Sequence, residues 1–263
     1  MKRNINIVDT TLRDGEQSAG KAFTMEQKLK IAKYLDNNGI YQIECGIPAM
    51  GFMEQEIIKA IKSETKNSLI STWNRLNIND IKASIDCDPD IIHISAPVSD
   101  LQTYQNLNRD KKWIQDNLIR CIYYIKERGY DVTVGLEDAS RADINYIIEL
   151  SILLEKLGVS RIRYSDTVGI LSLKKIKNVI NKIRENCNLK LEIHAHNDFG
   201  MAIGISLEAV KNGVEFVNCT LDGIGERTGN CNLQEFLKTS KNLGYNYEMN
   251  YDEFIKKRII DII

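Results

Sequence analysis

Short apolar runs with a two-residue period alternate along the chain with longer segments in which apolar positions return every three or four residues. The β-type runs fall at residues 5–8, 41–45, 69–73, 91–95, 131–136, 161–164, 190–194 and 215–219. A helical period follows each, over 25–37, 53–62, 79–85, 113–128, 144–157, 173–183, 201–211 and 232–243. The second helix gathers Ile57, Ile58 and Ile61 on one face, and the fourth gathers Ile114, Leu118, Ile122 and Ile125. Asn38-Gly39, Leu157-Gly158 and Asn212-Gly213 follow helices, where a left-handed C-cap feeds the next strand. Eight consecutive βα units predict an α/β fold, a (β/α)8 TIM barrel over residues 1–243, in preference to a doubly wound sheet. Residues 244–263 form a tail: a turn, then a mixed helix over 251–263. Its Ile259, Ile260, Ile262 and Ile263 are apolar enough to dock, on the barrel or on a partner, where a free terminus would fray.

Polar clusters follow the strands, at 9–17, 44–50, 96–100, 137–141, 165–169, 197–200 and 220–231. In a barrel all of these lie on the C-terminal face, where active sites of this fold are built. His194-Ala195-His196-Asn197-Asp198 is the most distinctive. On a strand the period of two points both histidines to one side, so together they can grip a divalent cation. The loop from Asp9 to Gln17 offers Asp14 as a carboxylate to complete an oxygen and nitrogen site suited to Mg2+, Mn2+ or Zn2+. Arg13 adds a positive fork for a carboxylate or enolate oxygen; the other reading of Arg13 and its acidic neighbours is a loop ion-pair cluster. Glu192, Asn197 and Asp198 are the expected acceptors for ring N–H groups that do not bind metal. Gly225 to Asn230 suits a tight turn aiming backbone N–H groups at an anion as a helix opens at Asn232; the plainer reading is a helix start.

Composition narrows the classes. A net charge of −1, from 35 Lys+Arg and 36 Asp+Glu, supplies no field for nucleic acid or an anionic membrane. The six cysteines form no CxxC pair and read as reduced thiols; Cys45 reads as a small apolar filler. No run approaches the roughly 20 apolar residues of a membrane span, and residues 1–4 lead into a strand without a signal-type segment, so a cytoplasmic protein is expected.

Taken together, Asp9-Thr-Thr-Leu-Arg-Asp-Gly-Glu-Gln17, Gly46-Ile-Pro-Ala-Met-Gly51, Ser165-Asp-Thr-Val-Gly169, His194-Ala-His-Asn-Asp198 and Gly225-Glu-Arg-Thr-Gly-Asn230 occur in an order that resembles the homocitrate, isopropylmalate and citramalate synthases. The resemblance covers residues 4–243; His93 to Ser99 and Gly135 to Arg141 look most like the homocitrate synthases associated with nitrogen fixation. It implies an acyltransferase that condenses acetyl-CoA with 2-oxoglutarate to give homocitrate and CoA. It further implies Asp14, His194 and His196 as metal ligands, with Asn230 near the metal. Arg13 and Glu44 match catalytic positions, and Arg13, Gln17, His93, Glu137 and Thr167 match substrate-pocket positions, Thr167 on the substrate carboxylate. On its own His93 also reads as a core histidine, and Glu137 and Thr167 as loop-capping groups. Family synthases continue into a C-terminal lid that crosses to a neighbouring subunit and supplies a histidine base. With His93, His194 and His196 all assigned, the expectation here is a homo-oligomer, or a hetero-oligomer with a separate C-terminal-region chain, and no feedback-regulatory domain. The competing readings are an isopropylmalate or citramalate synthase, a lyase on the same metal constellation, and a non-catalytic barrel subunit.

Overall fold

The computed structural model describes residues 4–263, so the lead-in at residues 1–3 lies outside the described part. Eight parallel strands close in sequence order: β1 (Asn6–Asp9), β2 (Gln42–Glu44), β3 (Leu69–Arg75), β4 (Ile91–Pro97), β5 (Asp131–Glu137), β6 (Arg161–Asp166), β7 (Lys190–Ala195) and β8 (Phe216–Cys219), with β8 pairing back onto β1. The helices α1 (Met25–Asn37), α2 (Phe52–Glu64), α3 (Ile78–Ile85), α4 (Lys111–Lys126), α5 (Ile144–Lys156), α6 (Leu173–Asn186), α7 (Ala202–Lys211) and α8 (Leu233–Asn242) alternate with them. The expected (β/α)8 barrel is therefore the observed fold, with element edges shifted by three residues at most.

Local chemistry explains where the helices begin. Thr24 and Gln27 form a reciprocal capping box on α1, and the side chains of Asp110, Asp143, Ser172 and Asn232 accept backbone N–H groups at the starts of α4, α5, α6 and α8. Strand residues alternate between two surroundings. Ile43, Ile70, Ile92, Ile94, Val132, Val134, Ile162, Leu191, Ile193 and Val217 are buried outward against the helices and form the apolar core. The alternate positions face inward, and there the barrel is polar. Arg161 Nη2 donates to Gln42 Oε1 at 2.5 Å and Arg163 Nη2 to Glu44 Oε2 at 2.6 Å, contacts between strands on opposite sides of the ring that only the interior can carry. Barrel interiors are ordinarily filled by branched apolar side chains.

The tail departs from the expected single helix. Only Tyr251–Phe254 (α9) is α-helical, followed by a 3₁₀ turn at Ile259–Asp261. Its backbone finds partners on the barrel instead: Lys257 O accepts from Gln234 Nε2 at 3.2 Å and Ile259 N donates to Asp222 Oδ2 at 3.1 Å. Phe254 is fully buried edge-to-face on Tyr34, and Ile259 is buried, whereas Ile260 points to solvent. Docking is thus on the chain's own barrel. All six cysteines are buried and unpaired, and no helix among the described residues is long and apolar enough to cross a membrane.

Candidate metal centre and substrate cavity

The turn after β1 folds back on itself. Arg13 N and Gly15 N both donate to Thr10 O, at 3.2 and 3.0 Å, which turns Asp14 toward the barrel mouth. There Asp14 Oδ2 lies 3.6 Å from His194 Nε2 and 3.9 Å from His196 Nε2. The two Nε2 atoms face each other at 3.2 Å. His194 Nδ1 lies 2.8 Å from Asn218 Oδ1, and Asn218 Nδ2 donates to Glu192 Oε1 at 3.2 Å. That order makes the amide oxygen the acceptor, so His194 carries its proton on Nδ1 and turns the Nε2 lone pair toward the cluster. Asn230 Nδ2 donates to Asp14 Oδ1 at 2.8 Å, and the buried Asn230 Oδ1 has no hydrogen-bond partner among the described residues.

Electrostatics favour the ligand forms. Burial raises the Asp14 carboxyl, but Arg13, the two histidines and Asn230 outweigh it and hold it below its ordinary value. Burial lowers His194 to about 3, helped by His196, Arg13 and Arg163 and opposed by Asp14. At neutral pH the cluster therefore contains a carboxylate and a neutral His194. Three buried donors converging within 4.8 Å, together with the unpartnered Asn230 oxygen, fit a divalent cation.

Above the cluster opens a cavity of about 220 Å3. Arg13, Asp14, Gln17, His93, Glu137, Thr167, His194 and His196 all line it, so the structure brings most of the expected residues together. Two do not line it. Glu44 is fully buried, taking Arg13 Nε at 2.6 Å, Arg163 Nη2 at 2.6 Å and Thr10 Oγ1 at 2.9 Å; it anchors Arg13 and is not among the lining residues. Asn230 sits beside the cluster on Asp14.

The expected acceptors around the histidines are corrected as well. His194 is held by Asn218, with Glu192 one step behind, and His196 Nδ1 has no partner among the described residues. Asn197 accepts from Ala202 N, and Asp198 is taken by Arg227, whose Nη2 also donates to Thr167 O at 2.7 Å. In the turn at 225–230 three N–H groups are taken within the protein. Gly229 N donates to Glu226 O and Asn230 N to Gly223 O, while Gly225 N turns to Ser18 Oγ. The loop-cluster reading of Arg13 is partly right: Arg13 does pair with Asp14 and Glu44, but within the cavity wall and nearly buried.

Sequence reasoning missed Ile47, Trp73, Ser95, Arg163, Ser165 and Glu226, which complete the lining. The signal was present in Arg161-Ile-Arg163-Tyr-Ser165, where the period of two sets both arginines and the serine on one face of a strand. Around His93 the packing is tight. Nδ1 lies 2.8 Å from Thr133 Oγ1, and a Cβ added at Gly135 would stand 2.6 Å from Nε2. Gly135→Ala is expected to push the ring into the cavity and cost about 1–3 kcal/mol, read as a lower midpoint in urea unfolding.

Asp9, at the end of β1, carries a pH signature. Burial raises its carboxyl from an ordinary 3.8 to about 7, although Thr11 donates to it through N–H and hydroxyl. The folded value is the higher one, so the unfolded chain ionises first and stability falls from pH 3.8 to about 7, then levels. Asp9→Asn removes this loss: its unfolding midpoint should gain on the parent between those limits and run parallel above them.

Residues 4–259 match the HMGL-like family. The chain belongs to the HMGL-like family. It is similar to the homocitrate synthase subunit alpha of Clostridium pasteurianum, 48% identical over 255 residues that make up 96% of this chain and 95% of that one. It is 40% identical to homocitrate synthase 1 of Nostoc over 94% of this chain, and 39% identical to 2-isopropylmalate synthase 2 of Caldanaerobacter subterraneus over the same share. The matches span 65% and 63% of those two relatives, under two thirds of their length. Among solved structures the HMG-CoA lyase of Bacillus subtilis superposes with a TM-score of 0.85 at 16% identity, covering 96% of this chain and 90% of that one, a likeness of fold. For this HMGL-like chain, then, the barrel fold is shared with proteins that carry different names, homocitrate synthase, 2-isopropylmalate synthase and HMG-CoA lyase.

Proposed function

We propose that this chain is the catalytic barrel of a cytoplasmic homocitrate synthase, joining the acetyl carbon of acetyl-CoA to the ketone carbon of 2-oxoglutarate and releasing CoA. The observation that carries the reading is the 48% identity, over 95% of its length, with a chain named homocitrate synthase subunit alpha. The site chemistry supports it. Asp14, His194 and His196, with Asn230 Oδ1 beside them, would hold a divalent ion whose Lewis acidity polarises the 2-oxo carbonyl. Arg13 spends Nε on Glu44 and Nη1 on Asp14, which fixes its plane and leaves Nη2 for the oxygen that gains charge as the carbon–carbon bond forms. Thr167 Oγ1 accepts Asp138 N–H at 2.8 Å, so its own proton is free to donate to a substrate carboxylate. Gln17, His93 and Glu137 would line the rest of the oxo-acid pocket.

Arg163 and the hydroxyls of Ser95, Ser165 and Thr167 make the lining polar, which favours an oxo acid with a second carboxylate over one with an apolar branch. The cavity is small beside common ligand pockets of roughly 300–1,000 Å3, suiting the oxo acid with the bulk of CoA outside. In this reading none of the three histidines is the base on acetyl-CoA, since His194 and His196 face the metal position and His93, held through Nδ1 by Thr133, lines the oxo-acid pocket. A second polypeptide would supply it, in keeping with a relative that is itself named a subunit.

The test is CoA release with 2-oxoglutarate, 2-oxoisovalerate and pyruvate, by the chain alone and after reconstitution with a candidate C-terminal-region chain. A strong preference for 2-oxoglutarate, appearing or rising on reconstitution, is expected. Preference for 2-oxoisovalerate or pyruvate would make it an isopropylmalate or citramalate synthase instead.

A further inference from the structure

The barrel interior holds an alternating column of charge, Arg161, Glu192, Arg163, Glu44, Arg13 and Asp14, each within 2.9 Å of the next. All but Arg13 are buried to within a few per cent of completely. Buried ion pairs of this kind contribute little net stability against an apolar filling, and this fold ordinarily fills its interior with branched aliphatic side chains. Stability alone therefore gives no reason for six charged residues in a row. Their connectivity offers one.

Glu192 Oε1 is the branch point. On one side it accepts from Asn218 Nδ2 at 3.2 Å, and Asn218 Oδ1 takes the His194 Nδ1–H at 2.8 Å. On the other it pairs with Arg163 Nε at 2.6 Å; Arg163 Nη2 pairs with Glu44 Oε2 at 2.6 Å, Glu44 Oε1 with Arg13 Nε at 2.6 Å, and Arg13 Nη1 with Asp14 Oδ2 at 2.9 Å. One carboxylate beneath the barrel mouth thus reaches two of the three candidate metal ligands, from two directions. Its other oxygen stands 2.8 Å from Arg161 Nε, an ion-pair contact without hydrogen-bond alignment.

We propose that Glu192 is a positioning residue for the divalent-ion site, acting on His194 through Asn218 and on Asp14 through Arg163, Glu44 and Arg13. The short branch sets the His194 tautomer and enriches its Nε2 lone pair, as a carboxylate behind a ligating imidazole does directly in other sites. The long branch holds the Asp14 carboxylate in place. The inference rests on the reading that Asp14, His194 and His196 bind a divalent ion.

The experiment titrates Co2+ into the full chain and into Glu192→Gln, Asn218→Leu and Gln42→Ala, following affinity by calorimetry, the visible ligand-field spectrum and the thermal unfolding midpoint. Asn218→Leu cuts the short branch and spares the ion column, so it serves even if Glu192→Gln fails to fold. Both variants are expected to bind Co2+ about 10–100-fold more weakly, with altered spectra. Gln42 is as deeply buried, accepts from Arg161 and lies on neither branch, so its replacement should lower the midpoint and leave affinity and spectrum unchanged. Parental affinity and spectrum in folded Asn218→Leu and Glu192→Gln would overturn the proposal, as would an equal loss in Gln42→Ala. Absence of Co2+ binding by the parent would instead overturn the metal reading beneath it.

Discussion

Replacing His196 by alanine weakens divalent-ion binding by more than about 100-fold, beyond what loss of an outer partner costs, while the barrel still folds. His196 is buried, and its Nδ1 has no partner among the described residues, so the ring contributes little hydrogen bonding to the fold. Its main-chain bridge to Asn230 is independent of the side chain. What the ring does contribute is one of the two Nε2 atoms 3.2 Å apart, a spacing that suits two lone pairs sharing a cation. Metal content after desalting checks this; stoichiometric metal in His196→Ala would remove the histidine pair from the site.

Arg13→Ala is expected to behave in the opposite way, keeping the ion but losing about 100- to 1,000-fold in turnover, the scale of removing one preorganised donor to a developing oxyanion. The guanidinium is fixed by Glu44 and Asp14 and lines the cavity. Its loss takes an anchor from Asp14, but it also takes a positive charge from beside the cation, and the two effects on affinity oppose each other. Metal affinity within about tenfold of the parent is therefore expected from this cancellation. Steady-state assays of the reconstituted enzyme beside metal titration separate the effects. Unchanged turnover would make Arg13 a structural ion-pair partner only.

Much of this was legible in the chain because it is local in sequence. The period of two on β7 set His194 and His196 on one side, and the polar loop after β1 pointed to Asp14 and Arg13. What escaped depends on closure of the ring. Asn218 meets His194 only because β8 lies beside β7, and no spacing within one strand announces that contact. Glu44 and Arg163 are 119 residues apart and touch across the barrel interior, so Glu44 reads as a pocket residue until its three buried partners are seen. The tail was misread for a related reason. Its helical pattern is real over Tyr251–Phe254, but backbone bonds to Gln234 and Asp222 on the barrel outweigh continuation of the helix.

We propose that the mouth of this barrel performs a metal-dependent condensation on 2-oxoglutarate. This proposal is tested most directly by CoA release from acetyl-CoA plus 2-oxoglutarate in the reconstituted protein, before chelation, after chelation and after returning Mn2+. Activity is expected to disappear on chelation, to return with the ion, and to be absent with and without the ion in His196→Ala. CoA release that persists without any divalent ion, or that proceeds undiminished in His196→Ala, would contradict it.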